Sequence, residues 1–210
     1  AVSGVASVQP KRANRGDVVH FGGPGSSAVR IADEFREFVQ SIEGRFPGRV
    51  TDRFDIVGLD ELGVGSSEPL NCKFVVDRQQ LGSQAGALSE AERFAEACER
   101  EHGGLMNQLG TLRLARDLDR LREKLGESVL HFYGASYGTF VGLADASEFP
   151  ARTGRFVLDA VLEPRLSVTE LVVEQTVGFE RAFSAWREWC GSAAECGFGG
   201  ANPAESFDQW

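Results

Sequence analysis

The pentapeptide GASYG, Gly134 to Gly138, sets a serine between two small residues directly after the apolar run Ser128 to Tyr133. A hydroxyl in that setting can be carried on a sharp strand-to-helix turn, pushed out as a nucleophile. Gly134 and Gly138 suit such a turn, because side chains there would collide as strand and helix close up. The helix expected to begin at Tyr137 turns its N-terminal amides and positive dipole end toward Ser136, where developing negative charge is stabilised. Acyl transfer also needs a base, a group to orient that base, and oxyanion donors. One donor is the N–H of the residue after the nucleophile, Tyr137; the other comes from a loop after an earlier strand. GGPG, Gly22 to Gly25, has the right character, since glycines allow close backbone approach and Pro24 stiffens the loop. Gly23 is the expected donor, with Gly22 as the alternate.

The base is missing. His20 falls inside the strand before the glycine loop and reads as a satisfied or exposed strand residue. His131 lies in the strand leading into the turn, so its side chain cannot fold back onto Ser136. His102 falls in a polar turn between helices and is expected to be solvated. No histidine follows Ser136.

The elements that position these groups are legible in the hydrophobic pattern. Asp17 to Phe21 and Phe54 to Leu59 read as buried strands, each ending at a glycine-rich loop. Between them, Ile31, Phe35, Phe38 and Ile42 mark one face of a helix closed by Gly44 and Pro47. A helix over Ser89 to Glu101 has Ser89 as expected N-cap and Glu92 completing a capping box. Leu114, Leu118, Leu121 and Leu125 follow helical spacing, and Arg155 to Leu162 reads as a further buried strand. Strands alternating with helices predict an α/β fold with a mostly parallel sheet covered on both faces. After Pro164 comes a long helical pattern, Val168 to Trp189, then an aperiodic tail, so a domain boundary is placed there: 1–164 and 165–210.

Composition narrows the function classes. With 22 basic and 31 acidic side chains the net charge is −9, which argues against a nucleic-acid or anionic-membrane surface. No apolar run reaches the length of a membrane span. Cys72, Cys98, Cys190 and Cys196 allow three pairings. They read as two local disulfides, Cys72 with Cys98 and Cys190 with Cys196, of an oxidising compartment; four reduced, buried cysteines are the alternative. No CxxC pair occurs and the histidines are scattered, so neither metal nor cofactor is expected.

Five collinear blocks resemble the secreted tripeptidyl aminopeptidase branch of the prolyl aminopeptidase family of α/β hydrolases. They are VVHFGGPGSS, FDIVGLDELGVGSSEPLNC, GTLRLARDLDRLREKLGE, VLHFYGASYGTFVGLADASEFPARTGRFVLDAVLEP and FSAWREWCGSAAEC. The resemblance implies Ser136 as nucleophile, Gly23 and Tyr137 as oxyanion donors, and the start of a helical lid from Val168. It also implies cysteine positions like those of secreted members. Two departures stand out. The family's Asp-Pro-Arg-Gly loop is here Asp60, Glu61, Leu62, Gly63, without the arginine, and Phe21 occupies a position where histidine is common, with His20 displaced by one. Members are much longer, so the 210 residues look like an internal piece or one chain of a processed enzyme, cut inside the lid. The expected catalytic Asp and His would then lie beyond Trp210.

The expected function is a secreted serine exopeptidase releasing short peptides, tripeptides by resemblance, from free N-termini. Its partners are the peptide substrate and the remaining C-terminal and N-terminal segments. Glu170, Glu174 and Glu180 are candidates for binding the substrate amine, against the plainer reading of a solvated helix face. A secreted esterase or lipase-like hydrolase is one alternative, since ester and amide cleavage pass through the same oxyanion. A non-catalytic or truncated hydrolase-fold module is the other.

Overall fold

Three parallel strand pairings bring the glycine loop and the serine turn side by side. In a computed structural model, residues 5–6, 15–42, 53–193 and 195–197 are described. Strands β1 (Val5–Ala6), β2 (Arg15–Phe21), β3 (Phe54–Leu59), β4 (Leu130–Ala135) and β5 (Thr153–Asp159) form one sheet in the order β1-β3-β2-β4-β5. Only the β1–β3 pairing is antiparallel. After β2 the chain crosses to β3 on one side, and it returns to β4 on the other. The order therefore reverses between β2 and β4, the point where open α/β sheets bind ligands beyond their carboxyl ends.

Helices lie on both faces. On one, α3 (Thr111–Lys124) and α4 (Tyr137–Glu148) enclose Val18, Val57, Leu118, Phe132 and Val141, all buried. On the other, α1 (Ala28–Ile42) packs Ala32 and Phe35 against Ile56 and Tyr133. At the outer strand β5, expected to be buried, the side that faces α1 is left open, with Val157 55% exposed. The helical face read from Ile31, Phe35, Phe38 and Ile42 is rotated in the structure: Ala28, Ala32 and Val39 are buried, whereas Phe38 is 58% exposed. The cause is close backbone docking. A Cβ on Gly58 of β3 would lie 2.2 Å from the Ala28 carbonyl oxygen, so α1 approaches through its small residues. The expected closure of this helix at Gly44 and Pro47 lies outside the described residues.

Helix α2 spans Gln84–Met106, starting earlier than expected, and its cap is Ser83, whose side chain accepts the Gly86 N–H. Ser89 and Glu92 lie within the helix. The signal at Ser89 lost because Gly86 packs against the preceding turn: a Cβ there would meet the Gln80 carbonyl oxygen at 2.1 Å. His102 sits at a break in this helix (φ −136°, ψ 18°) and its Nε2 is 3.1 Å from both the amide nitrogen and the carbonyl oxygen of Asn71. It is therefore held against the loop that α2 covers rather than free in solvent. Cys72–Cys98 fastens the same loop to α2, and Cys190–Cys196 closes a short loop at the end of α5 (Val168–Ser192). No free cysteine occurs among the described residues.

The chain divides into two compact units, Ala1–Leu162 and Glu163–Trp210. Within the second, Ser167 and Glu170 cap α5 reciprocally, and Val168, Val172, Val173, Val177 and Phe179 are exposed. Among the described residues no helix is long and apolar enough to cross a membrane.

On the buried side of α4, Asp145 is 1% exposed and stands near the Asp119–Arg122 ion pair. Burial, with Asp119 adding and Arg122 opposing, pushes its carboxyl up to about 6. A carboxyl whose folded pKa lies above its unfolded value destabilises the fold as pH rises from about 4 to about 6, and the deficit persists above that. Asp145→Asn is therefore expected to raise the melting temperature at pH 7.5 by several degrees. The gain should shrink toward zero as pH is lowered through 6 to 4 in thermal melts of the two proteins.

Candidate active site

Ser136 stands one residue beyond β4, with φ 53° and ψ −121°, a backbone conformation rarely held by a residue with a side chain. Neighbouring bonds hold it there. Its N–H donates to the Asp159 carbonyl at the end of β5 (2.9 Å), and its carbonyl accepts the Thr139 N–H (2.9 Å) and the Thr139 hydroxyl (2.7 Å). Thr139 is fully buried, and its Oγ1 accepts the Leu162 N–H at 3.2 Å.

The glycines on either side make the turn possible. A Cβ on Gly134 would lie 2.5 Å from the Gly138 carbonyl oxygen, and one on Gly138 would lie 2.1 Å from the His20 carbonyl oxygen. Strand β4, helix α4 and strand β2 therefore meet backbone to backbone at the serine.

Register then sets the glycine loop. His20 pairs with Gly134 and Phe21 with Ala135, so the residue after β2 arrives beside Ser136. A Cβ on Gly22 would be 3.7 Å from Ser136 Cβ. Gly22, Gly23 and Gly25 all have positive φ (32°, 103° and 97°). Their amides are not equivalent. Gly22 N–H donates to the Ala135 carbonyl (2.9 Å) and Gly25 N–H to Glu61 Oε1 (2.6 Å), while Pro24 has no N–H. Gly22, the alternate donor, is thus tied into the sheet, and Gly23 keeps the one amide of the loop without a partner among the described residues. Tyr137 opens α4, so its N–H has no acceptor within the helix.

Tyr137 also organises the floor of the site. Its hydroxyl is 3.0 Å from Thr111 Oγ1 at the start of α3, and its ring meets His20 edge-on at 5.9 Å. Burial, with Glu61 adding, raises its pKa against the opposing bond to Thr111. Beside it lies a cavity of about 560 Å³, lined mostly by apolar side chains and walled by Pro24, Gly25, Glu61, Leu62, Leu109 and Tyr137. Leu62, at the position where the family pattern has arginine, faces this cavity.

None of the histidines supplies the base. His20 is 1% exposed, and neither ring nitrogen has a hydrogen-bond partner among the described residues. It is neither satisfied nor exposed, as the strand pattern suggested, because α4 closes over it. Burial lowers its pKa to about 4 against the pull of Asp60, so it is neutral at ordinary pH. His131 is buried in β4 and its Nδ1 accepts the Arg155 N–H (3.0 Å), beside a register shift between β4 and β5. The hydroxyl of Ser136 meets no base among the described residues. Among them no group of His, Cys, Asp or Glu could hold a metal ion either.

The loop after β3 holds residues that the sequence did not mark for a role. Asp60, 3% exposed, accepts from Ser27 Oγ (2.8 Å) and Val29 N–H (3.1 Å) through one oxygen and from Ser66 N–H (2.9 Å) through the other. It joins the end of the glycine loop and the start of α1 to the turn after β3. The sequence signals for this were an acidic pair directly after a buried strand and the match of Asp60 to the aspartate of the family's loop.

A serine on a strained turn at the switch point of such a sheet defines the α/β hydrolase class. The chain belongs to that family: residues 18–210 match the family described as alpha/beta hydrolase fold. It is 33% identical over 203 residues to serine protease Hip1 of Mycobacterium tuberculosis (91% of this chain, 38% of the relative). Over 214 residues it is 32% identical to a tripeptidyl aminopeptidase of Streptomyces lividans (90% of this chain, 36% of the relative). It is also 30% identical over 194 residues to carboxylesterase B of Mycobacterium tuberculosis (87% of this chain, 36% of the relative). The chain thus spans well under half the length of these relatives.

The tightness of the turn is directly testable. Gly138→Ala places a methyl against a strand carbonyl that cannot yield, and it is expected to cost about 4 kcal/mol or more, or to abolish folding. Gly178→Ala, in α5 with open space around its Cβ, should be neutral or gain up to about 1 kcal/mol. Urea unfolding of both variants checks the contrast.

Proposed function

We propose that this chain carries the nucleophile and oxyanion hole of a serine hydrolase acting as an exopeptidase on peptides with free N-termini, releasing tripeptides. The observation that carries it is the meeting of Ser136 with Gly22 across the β2–β4 register, which leaves the Gly23 and Tyr137 amides for the oxyanion. Ser136 Oγ attacks the scissile carbonyl and its proton passes to a base; the tetrahedral oxyanion is held by the two amides. On collapse the base returns that proton to the amide nitrogen, the amine of the shortened peptide leaves, and an acyl-serine remains, which water then hydrolyses. The base and the acid that orients it come from sequence outside these residues, since no histidine follows Ser136. The 165–210 segment serves as the start of a lid. Similarity to a tripeptidyl aminopeptidase supports the choice of substrate, and the two disulfides support a secreted protein.

Of the lid carboxylates, Glu170 already accepts the Ser167 N–H (2.8 Å) and hydroxyl (2.7 Å) as a helix cap. Glu174 and Glu180 remain as candidates for the substrate amine.

A second reading, a carboxylesterase, is favoured by the similarity to carboxylesterase B. Substrates separate the two. On the natural protein, an exopeptidase should cleave tripeptide anilides and lose at least about 100-fold in kcat/KM when the amine is acetylated, whereas an esterase should prefer short acyl esters. Covalent labelling by a fluorophosphonate should vanish in Ser136→Ala; labelling that persists would overturn both readings. The 210 residues alone are expected to show no turnover, which the same anilide assay on the isolated chain checks.

A further inference from the structure

The loop Gly22–Gly25 must hold an amide in place with Pro24 as its one side chain. Three of its four residues are glycines with positive φ, so beyond the fixed φ of Pro24 its backbone has more freedom to rearrange than that of other residues. At its start the Gly22 N–H is fixed by the sheet through Ala135. At its end the fixture is a side chain from another loop, with Glu61 Oε1 accepting the Gly25 N–H at 2.6 Å across 36 residues of sequence.

We propose that Glu61 is a positioning residue of the oxyanion hole: by gripping the Gly25 amide it holds the glycine loop so that the Gly23 N–H faces the carbonyl attacked by Ser136. The inference rests on the serine-hydrolase reading of Ser136. A carboxylate has the wrong charge to stabilise an oxyanion, so its contribution lies in what it holds and not in its field. What the Gly25 amide requires is an acceptor oxygen at the right reach, and Glu61 does not act alone. Asp60 beside it accepts from Ser27 Oγ and the Val29 N–H, so consecutive carboxylates clamp the loop and the first turn of α1 from one side. Glu61 is half-buried in the cavity wall, facing Tyr137, with Arg113 and Asp117 also lining the cavity. Burial and Asp60 raise its pKa while the bond from Gly25 opposes them. Preorganised donors matter because a loop that must reorder during attack forfeits much of their stabilisation.

The test compares three variants in the natural protein, reading the second-order rate of fluorophosphonate labelling, kcat and KM on a tripeptide anilide, and thermal melts. Glu61→Gln keeps both reach and acceptor oxygen and should stay within about 3-fold of the parent. Glu61→Asp keeps the charge but withdraws the oxygen by one methylene, and Glu61→Ala removes it. Both should lower labelling rate and kcat by about 10- to 100-fold, with KM little changed. A merely structural role would show as a lower melting temperature with kcat intact. If the alanine variant fails to fold, the contrast between Asp and Gln still decides. Asp and Ala variants that react at the parental rate while Ser136→Ala is silent would overturn the inference alone. So would a Gln variant as impaired as Ala, or a loss confined to KM. Labelling that survives Ser136→Ala would overturn the reading of Ser136 and this inference with it.

Discussion

The structure depends on one close approach, that of the start of α4 to the ends of β2 and β4. Gly138 lies so near the His20 carbonyl, and Gly134 so near the Gly138 carbonyl, that no side chain fits between them. Only at that spacing does the chain reverse sharply enough to leave Ser136 at the head of the helix with positive φ. The strain at Ser136 costs on the order of 1–3 kcal/mol. It is offset by the bonds to Asp159 and Thr139, which exist because β5 and α4 are packed on the same sheet. Buried groups record that packing: His20 is shut away from solvent and held neutral, and Thr139 has no exposure at all.

From the same approach follows the geometry of the glycine loop. Parallel pairing of β2 with β4 brings Gly22 against Ser136, and the loop after β3 closes in from the next strand with two carboxylates. Three loops from three neighbouring strands thus converge at one end of the sheet. Chemistry is placed there by strand order, since the switch between β2 and β4 opens a crevice that helices on neither face fill. Where the family pattern has an arginine, Leu62 instead lines a mostly apolar cavity beside Tyr137.

Much of this was legible along the chain. The strand Phe54–Leu59, the turn at GASYG and, in the helix read from Leu114, Leu118, Leu121 and Leu125, the first three leucines have the bounds or faces that their periodicity indicates, while Leu125 is the exposed C-cap. Local patterns misled where packing overrode them. In α1 the predicted stripe is only half right: Phe35 packs on the sheet but Phe38 is exposed, and at Gly58 the closest approach is made by Ala28. In α2 the capping signal at Ser89 was bypassed by a helix already begun at Ser83. His20 shows the same limit: a strand position reveals that a side chain points to one face, but not that a later helix will seal that face.

By itself the sequence determined the alternation of strands and helices, the candidates for nucleophile and oxyanion donors, and the absence of any histidine after Ser136 in these 210 residues. These are properties of spacing and residue type, which local backbone sterics and periodic burial translate directly into structure. Tertiary structure alone decided that the Gly22 amide is tied into the sheet while that of Gly23 keeps no partner among the described residues, and that a Glu61 side-chain oxygen accepts the Gly25 N–H at the far end of the loop. Those outcomes depend on the register between strands far apart in sequence and on distances of a few tenths of an ångström. No pattern along a single chain encodes them until the strands have paired.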